Sequence, residues 1–450
     1  MNHRLCTTLF MGLLLISVLE QPRAQTARSV PGPDERFKAD ILLVIAHPDD
    51  ETNVSTYLWK AVLDEGKRVA VVITTRGDTG FNVVGMEQRK ALADLREMEG
   101  RHSLSAHGIN NVWFLNGPDT PAQDVLDSLE TLGHGEAIED IMRIIRLTRP
   151  EVVLTWLPVY VDGENHADHQ AAAVVATEAF DLAGNPIAFP EQVSPPRDHL
   201  TISNYGEGLH PWQAKKLYFF SNATHQQFLA HHGPTYLATD TSLSQGVPFE
   251  QLNKSAWAFY ASQNNFASGA EIPFLDQPEY IVLGKSLVPA PPEADVLSGV
   301  GSQPLSYVPP QSYATAPPTE SALELGGPWA FYREFFPAHG ISLLNTLFPL
   351  ETGFIPGHRL WVPLLLRNNS ASPATAVLHE DLPAGWTTTQ SEMTYALEPG
   401  TTLPVQLFLQ APSNPQDKAQ QTLHWSLSIN GKPAGSIDLA AYPEFDGLPQ

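Results

Sequence analysis

Short apolar runs alternate with longer amphipathic stretches over residues 40–150. The apolar runs have no polar break, which is typical of strands buried on both faces of a parallel sheet. They predict strands over 41–46, 69–74, 112–115 and 151–156, and the stretches between and after them predict helices over 86–107, 137–147 and 168–182. Strands that alternate with helices form right-handed βαβ units. The pattern therefore predicts an α/β fold with a Rossmann-like, mostly parallel sheet that has helices on both faces.

The pattern changes beyond about residue 325. Segments over 358–367, 387–397, 403–409 and 422–429 are alternating or rich in β-forming residues, and turn-forming Pro and Gly residues lie between them. Short strands at this spacing predict a C-terminal immunoglobulin-like β-sandwich. The preceding stretch is rich in Pro, Ser, Ala and Gly without a period, as linkers are. We predict a first domain over 36–287, a Pro-rich linker over 288–325 and the sandwich over 326–448.

The N-terminus has the pattern of a signal peptide. Arg4 precedes an apolar stretch over residues 9–19, and a small residue follows at Ala24. The stretch is shorter than the roughly 20 residues of a membrane-spanning helix, so no stable span is expected. We therefore predict a signal peptide over 1–25 and a secreted or periplasmic location in a bacterium. Cleavage would also remove Cys6, the only cysteine.

Composition restricts the class of partner. The 450 residues include 26 Lys+Arg and 49 Asp+Glu, so the formal net charge is 26 − 49 = −23. An acidic chain repels phosphate backbones, and we expect no nucleic-acid partner. A hydrophobic content of 42% is too high for a mainly disordered protein.

Two clusters of acidic and histidine residues carry the candidate chemistry. The first, Ala-His-Pro-Asp-Asp-Glu over 46–51, directly follows the first predicted strand, and the second, Asn-His-Ala-Asp-His over 165–169, follows the fourth. Ligands of open parallel sheets bind at the carboxyl ends of strands, so both clusters are expected to line one crevice. Imidazole and carboxylate groups suit zinc, and a catalytic zinc site uses three protein ligands and water. From residue types and spacing alone the ligands remain open among seven candidates: His47, Asp49, Asp50, Glu51, His166, Asp168 and His169.

The first cluster, followed downstream by His-x-Asp-His, resembles the PIG-L/LmbE family of zinc-dependent N-acetylglucosaminyl deacetylases. Further stretches carry the same resemblance, at 75–80, 95–99, 114–119 and 262–263, within a similarity that runs from about residue 40 to 285. One departure from the family pattern is Ala167, where the family often has proline. The resemblance implies Zn²⁺ as cofactor and the removal of an N-acetyl group from an N-acetylglucosamine-containing sugar or glycoconjugate.

The resemblance also implies roles for individual residues. The implied metal ligands are His47, Asp50 and His169. Asp49 matches the general base, His166 the histidine that stabilises the tetrahedral intermediate, and Asp168 the carboxylate that orients His166. The implied substrate-binding residues are Asp78, Asp119 and Arg96. The ligand set would also accept iron or cobalt. More weakly, the C-terminal region looks like the NEW-type, galactosidase-associated β domains of secreted carbohydrate-active enzymes.

Other functions stay open beside this one. A zinc amidase that cleaves another N-acyl or conjugate amide would use the same residues, and a non-catalytic sugar-binding protein could keep the scaffold. The pair Asp49 and Asp50 favours an enzyme, because a binding site has no use for a general base. A nucleotide-dependent oxidoreductase is disfavoured because no Gly-x-Gly-x-x-Gly follows the first strand. A serine hydrolase is disfavoured by the lack of a Gly-x-Ser-x-Gly motif.

Overall fold

The structure is a computed structural model. It describes residues 33–120, 124–162, 166–195, 206–223, 226–263, 275–310, 320, 322–347, 350–388, 392–414 and 420–444. The predicted signal peptide lies outside these residues.

A six-stranded sheet organises the first part of the chain, in the order β3-β2-β1-β4-β5-β8. The strands of this part are β1 (Ile41–Ile45), β2 (Val69–Ile73), β3 (Asn111–Phe114), β4 (Val152–Trp156), β5 (Lys216–Phe220), β6 (Thr235–Tyr236), β7 (Glu279–Tyr280) and β8 (Val282–Ser286). The first five strands of the order pair in parallel, and β8 adds an antiparallel edge. The mostly parallel sheet predicted from the apolar runs is therefore confirmed, while β8 was not predicted.

Helices connect these strands. They are α1 (Ser55–Trp59), α2 (Lys90–Ala106), α3 (Val125–Leu132), α4 (His134–Thr148), α5 (Ala167–Leu182), α6 (Pro190–Val193) and α7 (Phe249–Trp257). The helices predicted over 86–107, 137–147 and 168–182 correspond to α2, α4 and α5. A π-helical segment, Lys60–Asp64, continues α1.

Both faces of the sheet are buried. Leu42 and Val44 of β1 pack in one hydrophobic core together with α4 and α5. Ile41, Leu43 and Ile45 pack in a second core on the opposite face. Burial of every position in a strand removes the need for alternating polar residues, which explains the unbroken apolar runs.

The C-terminal part is built from two sheets. Its elements are β9 (Ala322–Leu325), α8 (Gly327–Ala338), α9 (Leu344–Leu347), β10 (Glu351–Phe354), β11 (Arg359–Asn368), β12 (Ala374–Asp381), β13 (Glu392–Leu397), β14 (Thr401–Gln410), β15 (Gln421–Ile429) and β16 (Lys432–Pro443). One sheet has the order β10-β16-β15-β12-β13 and the other β14-β11-β9. Side chains from both sheets share one core, which includes Leu364, Leu378 and Trp425. The predicted β-rich character of this region is confirmed.

The two parts pack directly against each other. Helix α8 was not predicted, and its Tyr332, Phe335 and Phe336 lie in the same core as α5. Within the predicted linker, Val296 is fully buried in the other core of the first part, and β9 pairs with β11. Val296 and β9, both within the interval 288–325, are therefore packed against folded structure. Among the described helices, none is long and apolar enough to cross a membrane.

Candidate active site

The candidate residues lie where the strand order of the sheet reverses. The chain passes from β1 to β2 on one side, whereas β4 pairs with the other side of β1. Loops that leave neighbouring strands in opposite directions open a crevice at the carboxyl ends of those strands. The segment from His47 to Glu51 follows β1, and the segment from His166 to His169 follows β4 and begins α5. The fold thus brings together two clusters that lie more than a hundred residues apart in sequence.

Three donor atoms converge in this crevice. His47 Nδ1 lies 3.2 Å from His169 Nε2, which lies 3.2 Å from Asp50 Oδ1. His47 Nδ1 and Asp50 Oδ1 are 3.6 Å apart. Ligand atoms about 2.0–2.1 Å from one tetrahedral zinc ion are roughly 3.4 Å from each other. Two imidazole nitrogens and one carboxylate oxygen at this spacing therefore fit a single metal ion.

Asp50 is fixed by its second carboxylate oxygen. Asp50 Oδ2 accepts hydrogen bonds from the backbone N–H groups of Ala46 and His47, both at 2.9 Å, and from Trp156 Nε1 at 2.8 Å. These donors leave Oδ1 directed toward the two histidines. The indole ring of Trp156 also stacks on His169, with ring centroids 4.0 Å apart and planes 12° from parallel. Trp156 therefore contacts two of the three converging side chains, whereas its sequence pattern predicts only the end of a strand.

The contacts of Asp168 differ from what the resemblance implies. Its Oδ2 lies 3.3 Å from His47 Nε2 and accepts a hydrogen bond from Thr120 N at 2.8 Å, and its Oδ1 accepts one from the Ser128 hydroxyl. Burial raises the pKa of Asp168, but the hydrogen bond and charge of His47, the charge of His166 and the Ser128 hydroxyl together lower it to about 2. Among the described residues, the imidazole hydrogen-bonded to Asp168 is thus His47 and not His166. A carboxylate on Nε2 of a histidine favours the tautomer with a free Nδ1 for a metal.

His166 lies beside the converging donors. It is the N-cap of α5, and its ring centroid is 4.2 Å from that of His169 and 5.0 Å from that of His47. Burial lowers the pKa of His166 well below its usual value, and the neighbouring imidazoles lower it further. Its ring can then donate one N–H without carrying a charge. Two other groupings also have ligand atoms close enough to hold an ion: one is His47, His166 and His169, and the other is His47, Asp119 and Asp168.

Asp49 has an unusual backbone conformation, with φ at 120°. Positive φ is unfavourable for a residue other than glycine and is concentrated at functional sites. The strained turn places Asp49, which is half-buried, directly before the short helix that starts at Asp50. Asp49 also interacts electrostatically with Arg96.

Asp78 and Asp119 join the loops that follow β2 and β3. Asp119 accepts hydrogen bonds from Gly77 N at 3.1 Å and Thr79 N at 2.9 Å, and Asp78 Oδ1 accepts one from Asp119 N at 3.0 Å. Asp119 also lies 3.9 Å from His47 Nε2. These carboxylates therefore shape the wall of the crevice.

Arg96 is buried against the loop that follows β2. It is 5% exposed and donates from Nη2 to the carbonyl of Phe81 at 2.9 Å. A Cβ at Gly80 would lie 2.4 Å from its guanidinium nitrogens, so the loop approaches Arg96 as closely as glycine permits. The structure thus shows Arg96 supporting the loop; contact with a substrate remains a prediction.

Several buried residues around the first cluster are joined by hydrogen bonds. Glu51 accepts a hydrogen bond from the Tyr260 hydroxyl, and burial raises the pKa of Glu51 to about 7. Gln263 Nε2 donates to the carbonyl of Pro48 at 2.8 Å, and Ser262 donates to Glu99 through its backbone N–H and its hydroxyl. The resemblance marked positions 262–263 and 95–99, but their contacts depend on tertiary structure.

The segment that holds these residues is similar in sequence to known proteins. Residues 42–180 match the family described as PIG-L: GlcNAc-PI de-N-acetylase. A 1D-myo-inositol 2-acetamido-2-deoxy-alpha-D-glucopyranoside deacetylase 1 of Catenulispora acidiphila is 30% identical over 183 residues, which cover 37% of this chain and 56% of that protein. A deacetylase of the same description from Thermomonospora curvata is 27% identical over 236 residues, covering 47% of this chain and 72% of that protein.

Among solved structures, N,N'-diacetylchitobiose deacetylase from Pyrococcus horikoshii matches with a TM-score of 0.41 and 20% identity, over 55% of this chain and 85% of that one. The chain spans a little over half the length of the first curated relatives that it matches, 56% in each of the first two. Residues 42–180 hold both motif clusters and all three converging donors. The similarity to the PIG-L family therefore covers the segment that holds the candidate site.

Proposed function

We propose that the protein is a secreted, zinc-dependent N-deacetylase that removes the acetyl group from an N-acetylglucosamine-containing sugar or glycoconjugate. The convergence of His47 Nδ1, Asp50 Oδ1 and His169 Nε2 within 3.2–3.6 Å of one another carries this proposal. Curated relatives of this chain are named as deacetylases of an acetylated amino sugar, which supports the substrate class.

His47, Asp50 and His169 would hold the zinc ion. Zinc supplies Lewis acidity when bound, because it polarises a carbonyl and lowers the pKa of water toward ~7. Asp168, on the far nitrogen of His47, and Trp156, on the second oxygen of Asp50, keep two of these ligands oriented.

Asp49 is assigned as the general base. It removes a proton from the attacking water, while His166 donates a ring N–H to the carbonyl oxygen on which negative charge develops. Cleavage of the C–N bond then releases acetate, and the leaving nitrogen takes up a proton to become a free amine.

The first experiment measures acetate release from N-acetylglucosaminides of increasing length by the zinc-loaded protein, with a chelated sample as control. We expect release that stops on chelation and returns with zinc. Bound zinc without acetate release from any compound would refute this substrate class and favour another N-acyl amide. Absence of both zinc and activity would favour a non-catalytic binding protein.

Asp49→Asn separates catalysis from metal binding. The substitution removes the base but none of the three converging donors, so we expect turnover to fall by about 10²–10⁴-fold with the zinc content unchanged. His169→Ala is the matched variant, which should lose zinc as well. Unreduced turnover in Asp49→Asn would contradict the assignment of Asp49.

Export belongs to the same proposal. The signal-peptide pattern over 1–25 supports it. Fractionation of expressing bacteria and N-terminal sequencing of the mature protein test it, and an uncleaved N-terminus in the cytoplasm would contradict it. The likeness of the C-terminal region to NEW-type domains stays a prediction.

A further inference from the structure

The turn that follows β1 carries backbone strain at Asp49. The φ angle of Asp49, 120°, lies in a region that is unfavourable for a residue with a Cβ. Such a conformation persists only where surrounding contacts hold it. The peptide groups on the two sides of Asp49 set its backbone angles, and these angles set the direction of its side chain. Contacts of these two peptide groups therefore keep the carboxylate in place.

One of these peptide groups is held by a neighbouring residue and the other by a distant one. The carbonyl of Asp49 accepts hydrogen bonds from Thr52 N at 2.9 Å and from Thr52 Oγ1 at 2.6 Å. The carbonyl of Pro48 accepts one from Gln263 Nε2 at 2.8 Å, and Gln263 lies 215 residues further along the chain. The orientation of the peptide group before Asp49, on which φ of Asp49 depends, is thus held by a tertiary contact.

Pro48 leaves this peptide group little other freedom. Pro48 is buried, and a Cβ at Gly100 of α2 would lie 3.5 Å from the Cβ of Pro48. The pyrrolidine ring also fixes φ of Pro48. Rotation about ψ of Pro48 remains as the main freedom, and this rotation moves the carbonyl to which Gln263 donates. A hydrogen bond at that carbonyl therefore holds the backbone that enters Asp49.

Gln263 belongs to a segment that is itself fixed by hydrogen bonds. Ser262 donates to Glu99 from its backbone N–H at 2.8 Å and from its hydroxyl at 2.6 Å, and both residues are buried. The Tyr260 hydroxyl donates to Glu51, and Gln263 N donates to the carbonyl of Tyr260 at 3.0 Å. The half-buried Gln263 side chain thus reaches Pro48 from a well-anchored turn that follows α7.

We propose that Gln263 is a positioning residue whose side-chain amide keeps the Asp49 carboxylate in place for catalysis. It does so by holding the peptide group before Asp49. The inference rests on the proposed function, in which Asp49 is the general base. The metal ligand Asp50 is oriented by other groups, namely two backbone N–H groups and Trp156 Nε1. Loss of the Gln263 amide should therefore affect the base and spare the metal.

Gln263→Met tests the donor, because methionine keeps the length of the side chain and removes its amide. At saturating zinc we expect kcat for acetate release to fall by about 10–100-fold, as a misplaced catalytic group typically causes. KM and zinc affinity should stay unchanged, because the displaced base acts in the chemical step. Gln251→Met, at an exposed position of α7, is the matched control and should leave kcat unchanged.

A double variant separates positioning from a general effect on folding. Residues that act as one unit have strongly non-additive effects on turnover. If Gln263 acts through Asp49, Gln263→Met combined with Asp49→Asn should be no slower than Asp49→Asn alone. A second 10–100-fold loss in the double variant would overturn the proposal, because Gln263 would then act independently of Asp49.

Two further kinetic outcomes would overturn the proposal. One is an unchanged kcat in Gln263→Met. The other is a loss of zinc that accounts for the loss of kcat, because Gln263 would then support the metal site. Gln263→Glu, which has the same shape but lacks the Nε2 donor, replaces a Gln263→Met variant that fails to fold.

Crystal structures of the wild type and of Gln263→Met test the proposal without turnover. We expect φ of Asp49 to leave the positive region in the variant, with a displaced carboxylate. A φ that stays near 120° in the variant would overturn the proposal. Absence of acetate release by the wild type would instead be a failure of the proposed function, and the structural comparison then still decides whether Gln263 holds Asp49.

Discussion

At the scale of single residues, Trp156 contacts two of the three converging side chains of the candidate site. Its indole N–H binds Asp50 and its ring stacks on His169. Loss of partners of this kind typically lowers metal affinity by about 10–100-fold. This role can be recognised only in the tertiary structure, because in the sequence Trp156 fits the pattern of a buried strand end.

Trp156→Phe should weaken zinc binding while the chain stays folded. Phenylalanine keeps an aromatic face against His169 but loses the donor to Asp50, so we expect zinc affinity to fall by about 10-fold or more. Competition with a zinc-binding dye measures it, and Trp212→Phe, at the far end of the sheet, is the control. Unchanged zinc affinity in Trp156→Phe would show that the indole N–H does not orient Asp50.

Asp168→Asn distinguishes two roles for this carboxylate. Its contact with His47 predicts that the substitution lowers zinc affinity by about 10-fold or more. A carboxylate that acted only through His166 would change turnover and leave zinc affinity unaltered. Zinc titration of the variant, together with acetate release at saturating zinc, separates these outcomes.

At the scale of elements, the start of α1 depends on a carboxylate from a distant strand. Glu279 of β7 accepts hydrogen bonds from Thr56 N at 2.6 Å and Tyr57 N at 2.9 Å. Both N–H groups lie in the first turn of α1 and have no partner within the helix. Burial raises the pKa of Glu279 to about 8, although these two donors favour the ionised form.

The raised pKa of Glu279 predicts a pH-dependent contribution to stability. Between pH ~4.5 and ~8, Glu279 is protonated in the folded chain and ionised in the unfolded chain. The contribution of Glu279 is therefore fully present below about pH 4.5 and decreases as the pH rises toward 8. By urea denaturation from pH 5 to pH 8, the free energy of unfolding of the wild type should fall relative to that of Glu279→Gln as the pH rises. A difference independent of pH would show that Glu279 has the same charge in both states.

At the scale of the whole molecule, the first part of the chain, with β1 to β8, and the C-terminal part form one packed unit. Residues 32–450 cluster as a single compact body, and α8 shares a core with α5. Asp181 of α5 also pairs with Lys285 of β8 at 2.6 Å and with His339, just after α8, at 2.9 Å. The C-terminal part is thus packed against the first part of the chain, and the connection between them is not a linker alone.

Phe335→Ala tests this coupling. Removal of a buried phenylalanine costs about 3–5 kcal/mol, and because Phe335 lies in the core shared with α5, both parts should lose stability together. We expect wild type and variant to unfold in one transition, followed by circular dichroism and tryptophan fluorescence. Two separate transitions, with only one of them shifted by the substitution, would show that the parts fold independently.

The sequence by itself determined the parallel sheet and the position of its chemistry. Strands β1, β2 and β4 are predictable because burial on both faces produces unbroken apolar runs, which a local window of sequence can detect. The motifs at 46–51 and 165–169 follow two of these strands, so their meeting at one sheet edge could be expected before the structure was known.

Only the tertiary structure decided which groups touch. The aromatic residues of α8 pack on a surface about 150 residues earlier in the chain, and the pairing of Asp168 with His47 depends on side-chain orientation. The contacts of Trp156 with Asp50 and His169 arise in the same way. Apolar and polar periodicity reports whether a position is buried, but it does not report its partner, because contacts between distant segments are set by the packing of the whole chain.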